Sequence, residues 1–153
     1  MYIDRDKALQ LSIPPITLDV ERGRLRFFAE ATGQTDPVYT DLDAARRAGH
    51  RDLPVPLTFL SNSIELEQPE PLAWLAVLGV DLNSTTHGEQ SFVYHSLAYA
   101  GDTLILQRRI TDVYLKKAGA LEFVVKRTDI VRAGELIAEV DCVIGVKHPE
   151  VAA

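Results

Sequence analysis

The strongest constraint on the fold is a change of hydrophobic period near the middle of the chain. From about Gly88 onward, apolar residues recur at every second position, as they do in strands that bury one face. Glycine-containing turn signals at residues 101–102, 116–119 and 133–135 divide this half into four segments. The pattern therefore predicts four consecutive antiparallel strands.

The alternation also predicts which side chains face the core. In the first strand we expect Phe92 and Tyr94 on one face, and the third strand begins with Leu121, Phe123 and Val125. The inward residues expected in the second strand are Leu104, Leu106, Ile110 and Tyr114, and those in the last are Leu136, Ala138, Val140, Cys142, Ile144 and Val146. The last strand has the most regular pattern of the four.

Helical spacing dominates the first half. It predicts an amphipathic helix over 18–31 with Asp19 as N-cap and Gly33 as terminator, and a short helix over 41–49. After a proline-rich loop, an apolar helix is predicted over 57–67, and a further short helix over 72–78. Helices followed by antiparallel strands give an α+β fold, with the apolar helix covering the apolar face of the sheet.

Composition excludes some classes of function. The chain has 153 residues, which fits one domain spanning 1–153, and its formal net charge of -6 argues against nucleic acid as a partner. The single cysteine, Cys142, fits a small buried side chain in a reducing compartment. The N-terminus lacks an apolar signal segment, and the apolar stretch at 71–80 is too short to span a bilayer. We therefore expect a cytoplasmic protein with no membrane partner.

Three ordered segments carry a resemblance to a known family. They are ATGQTDPVYTD at 31–41, LPVPLTF at 53–59 and HGEQSFVYH at 87–95, followed by GDTL at 101–104 and TDVY at 111–114. In this order and spacing the chain resembles the MaoC-like dehydratase N-terminal domain. The resemblance covers about residues 16–146, which we take as the core.

The resemblance implies a hot-dog fold, in which a curved antiparallel sheet wraps around a central apolar helix. Two such units pair as a homodimer, a heterodimer or a fused chain. The family's ligand is an acyl thioester of CoA or of acyl carrier protein, and no cofactor is expected. The reaction it implies is the reversible hydration of a trans-2-enoyl thioester to the (3R)-hydroxyacyl thioester.

Active members of the family carry an Asp-x-Asn-Pro-x-His loop, whose Asp and His share one water. Aligned on Pro37, the Asp position falls on Gln34, the Asn position on Asp36 and the His position on Tyr39. Gln is not a base, and a phenol is a poor one at neutral pH. The usual pair is therefore absent, which leaves Asp36 and Tyr39 as the candidate catalytic residues of a degenerate site.

Binding residues are expected in two other segments. Hydration builds charge on the thioester oxygen, which an N–H donor must hold. The loop formed by Pro54, Val55, Pro56, Leu57 and Thr58 leads into the predicted apolar helix, whose N-terminus offers such donors. His87 and Gly88 are further candidates from the resemblance. The spacing of His87 and His95 does not match a zinc site, so no metal is expected.

Three functions remain open at this point. The first is an accessory subunit that pairs with a MaoC-like subunit carrying the complete Asp/His loop. The second is a stand-alone homodimeric hydratase or hot-dog thioesterase that uses another acid such as Asp36. The third is a binding module for acyl-CoA without turnover.

Overall fold

A computed structural model describes residues 2–61, 63–116 and 121–147. The strands within these ranges are β1 (Ile16–Asp19), β2 (Thr85–Tyr94), β3 (Thr103–Lys116), β4 (Leu121–Arg132) and β5 (Glu135–Lys147). They form one antiparallel sheet in the order β1-β3-β4-β5-β2. The predicted strands and the α+β class are thus confirmed. The hairpin loop predicted at 116–119 falls largely outside the described residues.

The helices are short and come mostly before the sheet in the chain. They are α1 (Arg5–Leu9), α2 (Arg22–Ala31), α3 (Leu42–Arg47), α4 (Ser63–Leu66) and α5 (Ala73–Val77), with 3₁₀ turns at Pro37–Tyr39 and Leu82–Ser84. In the described part of the chain, no helix has the length and apolar character needed to cross a membrane.

Two bulges change which residues face the core. Ile110 pairs with Lys126 and Asp112 with Val125, so one extra residue is inserted in β3. The insertion reverses the alternation, because side-chain direction has a period of two. Val113 is therefore buried and Tyr114 only half-buried. A second shift near Ile130 buries Ile137 instead of Leu136, which is 40% exposed. The predicted inward positions of Tyr114 and Leu136 are wrong for this reason.

The predicted helix over 18–31 begins later than expected. Leu18 and Asp19 belong to β1, whose residues are alternately buried and exposed and pair with residues 103–106. The helix starts at Arg22, and its N-cap is Glu21, which makes no side-chain capping bond. Asp19 instead accepts a hydrogen bond from the Thr103 hydroxyl at 2.7 Å. Gly33 ends the helix with a φ of 70°, as predicted.

The central apolar segment is mostly turns and includes one short helix. A turn follows Pro56, where the Phe59 amide donates to the Pro56 carbonyl, and α4 covers only Ser63–Leu66. The run Ser-Asn-Ser at 61–63 explains the late start, since these residues prefer turns and caps to helix interiors. The segment still covers the sheet, because Phe59, Leu60 and Ile64 are buried.

Two apolar clusters lie against the inner face of the sheet. One joins Leu25, Leu53 and Phe59 to the start of β3. The other joins α1 and α5 to the far halves of β3, β4 and β5, and it includes Ile3, Ala8, Ile13, Trp74 and the buried Cys142. The core therefore begins before residue 16, the lower bound that we expected. Between the two clusters along β3 and β4 lie the charged residues Arg108 and Lys126.

Candidate functional site

Tyr94, at the end of β2, brings two of the predicted site segments together. Its hydroxyl donates a hydrogen bond to the Leu57 carbonyl. Burial raises the pKa of the Tyr94 phenol to about 12, and the neighbouring Tyr39 adds to the rise. The Phe92 ring stacks on the Tyr94 ring at a centroid distance of 6.2 Å. Tyr94 is thus a neutral donor at physiological pH, placed between the 34–39 loop and the 53–58 loop.

The side chains of the 34–39 loop hold its own backbone. The Gln34 side-chain oxygen accepts from the Asp36 amide at 3.1 Å, and the Asp36 carboxylate accepts from the Val38 amide at 3.0 Å. Asp36 is the N-cap of the 3₁₀ turn at Pro37–Tyr39. Gln34 and Asp36 are exposed, and Tyr39 is half-buried. In this arrangement, Asp36 and Gln34 act as turn-forming residues.

The 53–58 segment is a rigid wall of the same region. The Val55 amide donates to the Ala98 carbonyl and the Ala100 amide to the Leu53 carbonyl, each at 2.9 Å. Pro54, Val55 and Pro56 are buried, whereas Leu57 and Thr58 are exposed. The expectation of a helix N-terminus here is wrong, because α4 starts only at Ser63. Leu57 and Thr58 are therefore the members of this loop that present side chains at the surface.

Asp102 stabilises the 98–102 turn, which pairs with the 53–55 segment. Its carboxylate accepts hydrogen bonds from Arg51, from Arg132 at 3.1 Å and from the Tyr99 amide at 2.9 Å. Burial raises the pKa of Asp102, but these donors outweigh burial and the net shift is downward. The Gly101-Asp102 motif therefore has a structural role as an anchor for the 98–102 turn.

His87 and Gly88 lie at the other end of β2. His87 and Tyr94 are seven positions apart along β2, which is roughly 23 Å at about 3.3 Å per residue. Gly88 is the bulged residue of β2, and a Cβ there would lie 3.1 Å from the Val143 carbonyl oxygen. His87 contacts Gln90 at 3.1 Å and borders a mainly apolar cleft of about 160 Å³. The structure does not bring these two residues to the site around Tyr94.

A buried ionic cluster was not predicted from the sequence. The Glu65 carboxylate accepts hydrogen bonds from Trp74 Nε1 at 2.9 Å, from Arg108 at 2.6 Å and from Lys126. Glu65 is 3% exposed and Lys126 is 1% exposed. Arg108 in β3 and Lys126 in β4 therefore lie toward the inside of the fold, with side chains that are 11% and 1% exposed. One sequence signal could have predicted the burial of Lys126. It lies an even number of positions from Val124, Thr128 and Ile130, so it shares their buried face of β4.

Comparisons with known proteins agree with this fold. A family model described as FAS1-like, dehydratase domain region, matches residues 11–140. The UPF0336 protein of Parafrankia sp. (strain EAN1pec) is 34% identical over 143 residues and 93% of each chain is covered. The UPF0336 protein of Streptomyces coelicolor is 38% identical over 110 residues, which cover 72% of this chain and 73% of that protein.

Solved structures give the same result. The HadBC (3R-hydroxyacyl-ACP dehydratase) complex of Mycobacterium tuberculosis has a chain that is 27% identical, with a TM-score of 0.73 and coverage of 88% of this chain and 92% of that chain. The ChsH1-ChsH2 complex of the same organism matches at 22% identity and a TM-score of 0.71, covering 90% and 89%. A MaoC-like dehydratase matches at a TM-score of 0.76 and 21% identity, covering 94% of this chain and 44% of that one.

The family model covers most of the chain, the relatives span most of its length, and the five-stranded curved sheet matches the hot-dog fold of these structures. The chain therefore belongs to the FAS1-like dehydratase domain family and to the UPF0336 proteins, and it has the hot-dog fold of MaoC-like dehydratases.

Proposed function

We propose that this protein is an accessory subunit of an (R)-specific enoyl-thioester hydratase/3-hydroxyacyl-thioester dehydratase. It would pair with a MaoC-like subunit that carries the Asp/His loop. The observation that carries this proposal is the 34–39 loop, in which Gln34 and Asp36 hold the turn and a phenol, Tyr39, occupies the His position. The turn is formed and capped, but its side chains do not provide the Asp/His pair of the family's active members.

The reaction has two requirements that this loop does not meet. A base must take a proton from water as it attacks the β-carbon, and an acid must protonate the α-carbon. Tyr94, the phenol beside this loop, has a pKa of about 12, so it stays protonated at neutral pH and does not act as a base. The chemistry is therefore assigned to the partner, and this chain supplies a wall of the acyl site through Tyr39, Leu57 and Thr58.

The free edge of the sheet supports pairing with a second subunit. β2 is the outermost strand next to β5, and it is ten residues long. A long edge strand presents unpaired backbone groups that favour strand pairing. Val93 on this strand is 52% exposed. HadBC and ChsH1-ChsH2 are themselves complexes, which is consistent with a heterodimer here.

The test compares the chain alone with the chain co-expressed with a MaoC-like subunit that contains the Asp/His loop. The hydration of crotonyl-CoA and of a longer trans-2-enoyl-CoA is followed by the absorbance of the conjugated thioester, with the mass measured by light scattering. We expect no rate from the folded chain alone and activity from a heterodimer. A typical enzyme rate from the chain alone would overturn the proposal.

Two variants separate the remaining hypotheses. Asp36→Asn keeps a side-chain acceptor for the Val38 amide while removing the charge, so we expect the heterodimer's rate to be unchanged. A stand-alone enzyme that uses Asp36 would lose activity in this variant. Calorimetry with acyl-CoA on the chain alone tests the binding-module hypothesis, which predicts saturable binding without any catalytic partner.

A further inference from the structure

An open cleft lies at the β1 edge of the sheet, opposite the β2 edge that carries Tyr94. Its volume is about 410 Å³, within the roughly 300–1,000 Å³ typical of small-molecule sites. The 11–16 segment forms one wall, and α5 with residues 68–70 forms the other. The lining is mainly apolar and includes Ile13, Trp74 and Val77, with Arg108, whose side chain is 11% exposed, as its cationic group.

The sequence explains why the sheet is open at this point. β1 pairs with β3 only as far as Ile16 and Leu106. Pro14 and Pro15 come immediately before β1, and proline cannot donate to a strand ladder. The Arg108 side chain occupies the gap, where its Nη2 donates to the Pro14 carbonyl at 2.6 Å. Arg108 is therefore held at the inner end of the cleft by the backbone and by Glu65.

The charges around the cleft favour an anion. Glu65 is the carboxylate in contact with both Arg108 and Lys126, so these three groups carry a net charge of +1 when ionised. Lys7 donates to the carbonyl of Val77, a lining residue, at 3.1 Å, and Glu70 is the anionic residue of the lining. Arg108 donates to Glu65 through Nη1 and to Pro14 through Nη2, and each of these nitrogens carries a second N–H, so the guanidinium has donor capacity left.

We propose that this cleft binds an amphipathic organic anion, with its carboxylate toward Arg108 and its apolar chain along Ile13, Trp74 and Val77. The apolar walls suit the hydrocarbon chain of such a molecule, and the Arg108 guanidinium suits its carboxylate. The carboxylate of the bound molecule would balance the net positive charge of the cluster formed by Glu65, Arg108 and Lys126. The site is at the opposite sheet edge from Tyr94, so it does not depend on the proposed function.

The test uses octanoate as the probe and octan-1-ol as its neutral match. Trp74 is the only tryptophan of the chain and lines the cleft, so its fluorescence reports occupancy directly. We expect a saturable change with octanoate and binding about tenfold tighter than with octan-1-ol, the usual contribution of a hydrogen bond to a charged group. Equal affinities for the two probes, or no saturation, would overturn the proposal.

Two alanines of α5 provide a matched pair of variants. Ala73 and Ala76 are both exposed, but only Ala73 lines the cleft. Ala73→Phe should fill the cleft and reduce octanoate binding at least tenfold, whereas Ala76→Phe should leave it unchanged. Both changes are at the surface, so the fold is expected to survive, and circular dichroism checks this. Equal binding by the two variants would place octanoate elsewhere and overturn the proposal.

Arg108→Gln gives a second, independent readout. Octanoate binding should weaken by about tenfold while octan-1-ol binding stays the same, because only the charged partner is lost. Isothermal calorimetry measures both affinities without relying on the fluorescence of Trp74, which lies near the changed residue. If both affinities fell equally in a variant that remains folded, the cleft would be a purely apolar site and the proposal would be wrong.

Discussion

The Lys126 ammonium donates a hydrogen bond to the Glu65 carboxylate although both side chains are almost wholly buried. Arg108 binds the same carboxylate at 2.6 Å, so one anion serves two cations. Buried charges are costly unless they are paired. The cluster therefore lies on the inner face of the sheet only because each member supports the others.

This charge balance predicts unequal costs for two substitutions. Glu65→Gln leaves Arg108 and Lys126 without an anion and should reduce the free energy of unfolding by about 3–5 kcal/mol. Lys126→Met leaves a paired Glu65 and Arg108 and should cost only about 1–2 kcal/mol. Urea unfolding monitored by circular dichroism measures both.

The isosteric control for these variants is Asp129→Asn. Asp129 pairs with the exposed Arg109, and such pairs contribute about 1 kcal/mol or less. If Lys126→Met proved costlier than Glu65→Gln, the assignment of one anion to two cations would be wrong.

Acid should weaken the link between α2 and the 52–55 segment. The Arg22 hydrogen bond lowers the pKa of Asp52 to about 2, against the opposing effect of burial. A carboxyl whose pKa is lower in the folded state contributes stability above its unfolded pKa near 4 and loses it as the pH falls toward 2. Asp52→Asn should therefore flatten the fall in unfolding free energy between about pH 4 and pH 2 by at most about 2 kcal/mol. Equal slopes in the two proteins would contradict this.

Alkaline pH should reduce the free energy of unfolding through ionisation of Tyr94. Its pKa of about 12 is above that of an unfolded tyrosine, so its contribution to stability is complete below about pH 10 and is lost as the pH rises through 12. The tyrosinate absorbance of Tyr94→Phe should lack the component that titrates last. Tyr39→Phe serves as the control that keeps this component. Tyr94→Phe should also be about 1 kcal/mol less stable than the unchanged protein, because it lacks the hydrogen bond to the Leu57 carbonyl.

The bulge in β2 should not tolerate a side chain. A Cβ at position 88 would lie 3.1 Å from the Val143 carbonyl oxygen, a backbone atom that cannot easily move. Gly88→Ala should therefore cost about 1–3 kcal/mol by overpacking. The comparison is Gly23→Ala, where a Cβ meets no atom within 4 Å. Thermal unfolding of both variants decides the prediction, and equal melting temperatures would reject it.

The amino-acid sequence by itself determined the strands, since the alternation in β5 buries Ala138, Val140 and Cys142 as predicted. It also determined the hairpin after β4, where Ala133 and Gly134 both have positive φ. The resemblance of residues 31–41 to the family loop adds the prediction that the usual Asp/His pair is absent from positions 34 and 39. These features depend on local periodicity and on the chemistry of single side chains, which the sequence states directly.

Only the tertiary structure decided the remaining features. The bulges that turn Val113 and Ile137 inward arise from pairing between strands, which local sequence does not encode. The contact between Tyr94 and Leu57 joins residues 37 positions apart, and that between Lys126 and Glu65 joins residues 61 positions apart. From the sequence alone, Lys126 would be predicted at the surface, because nothing local shows that Glu65 lies beside it. Burial of charge is settled by such partners, and therefore by the fold as a whole.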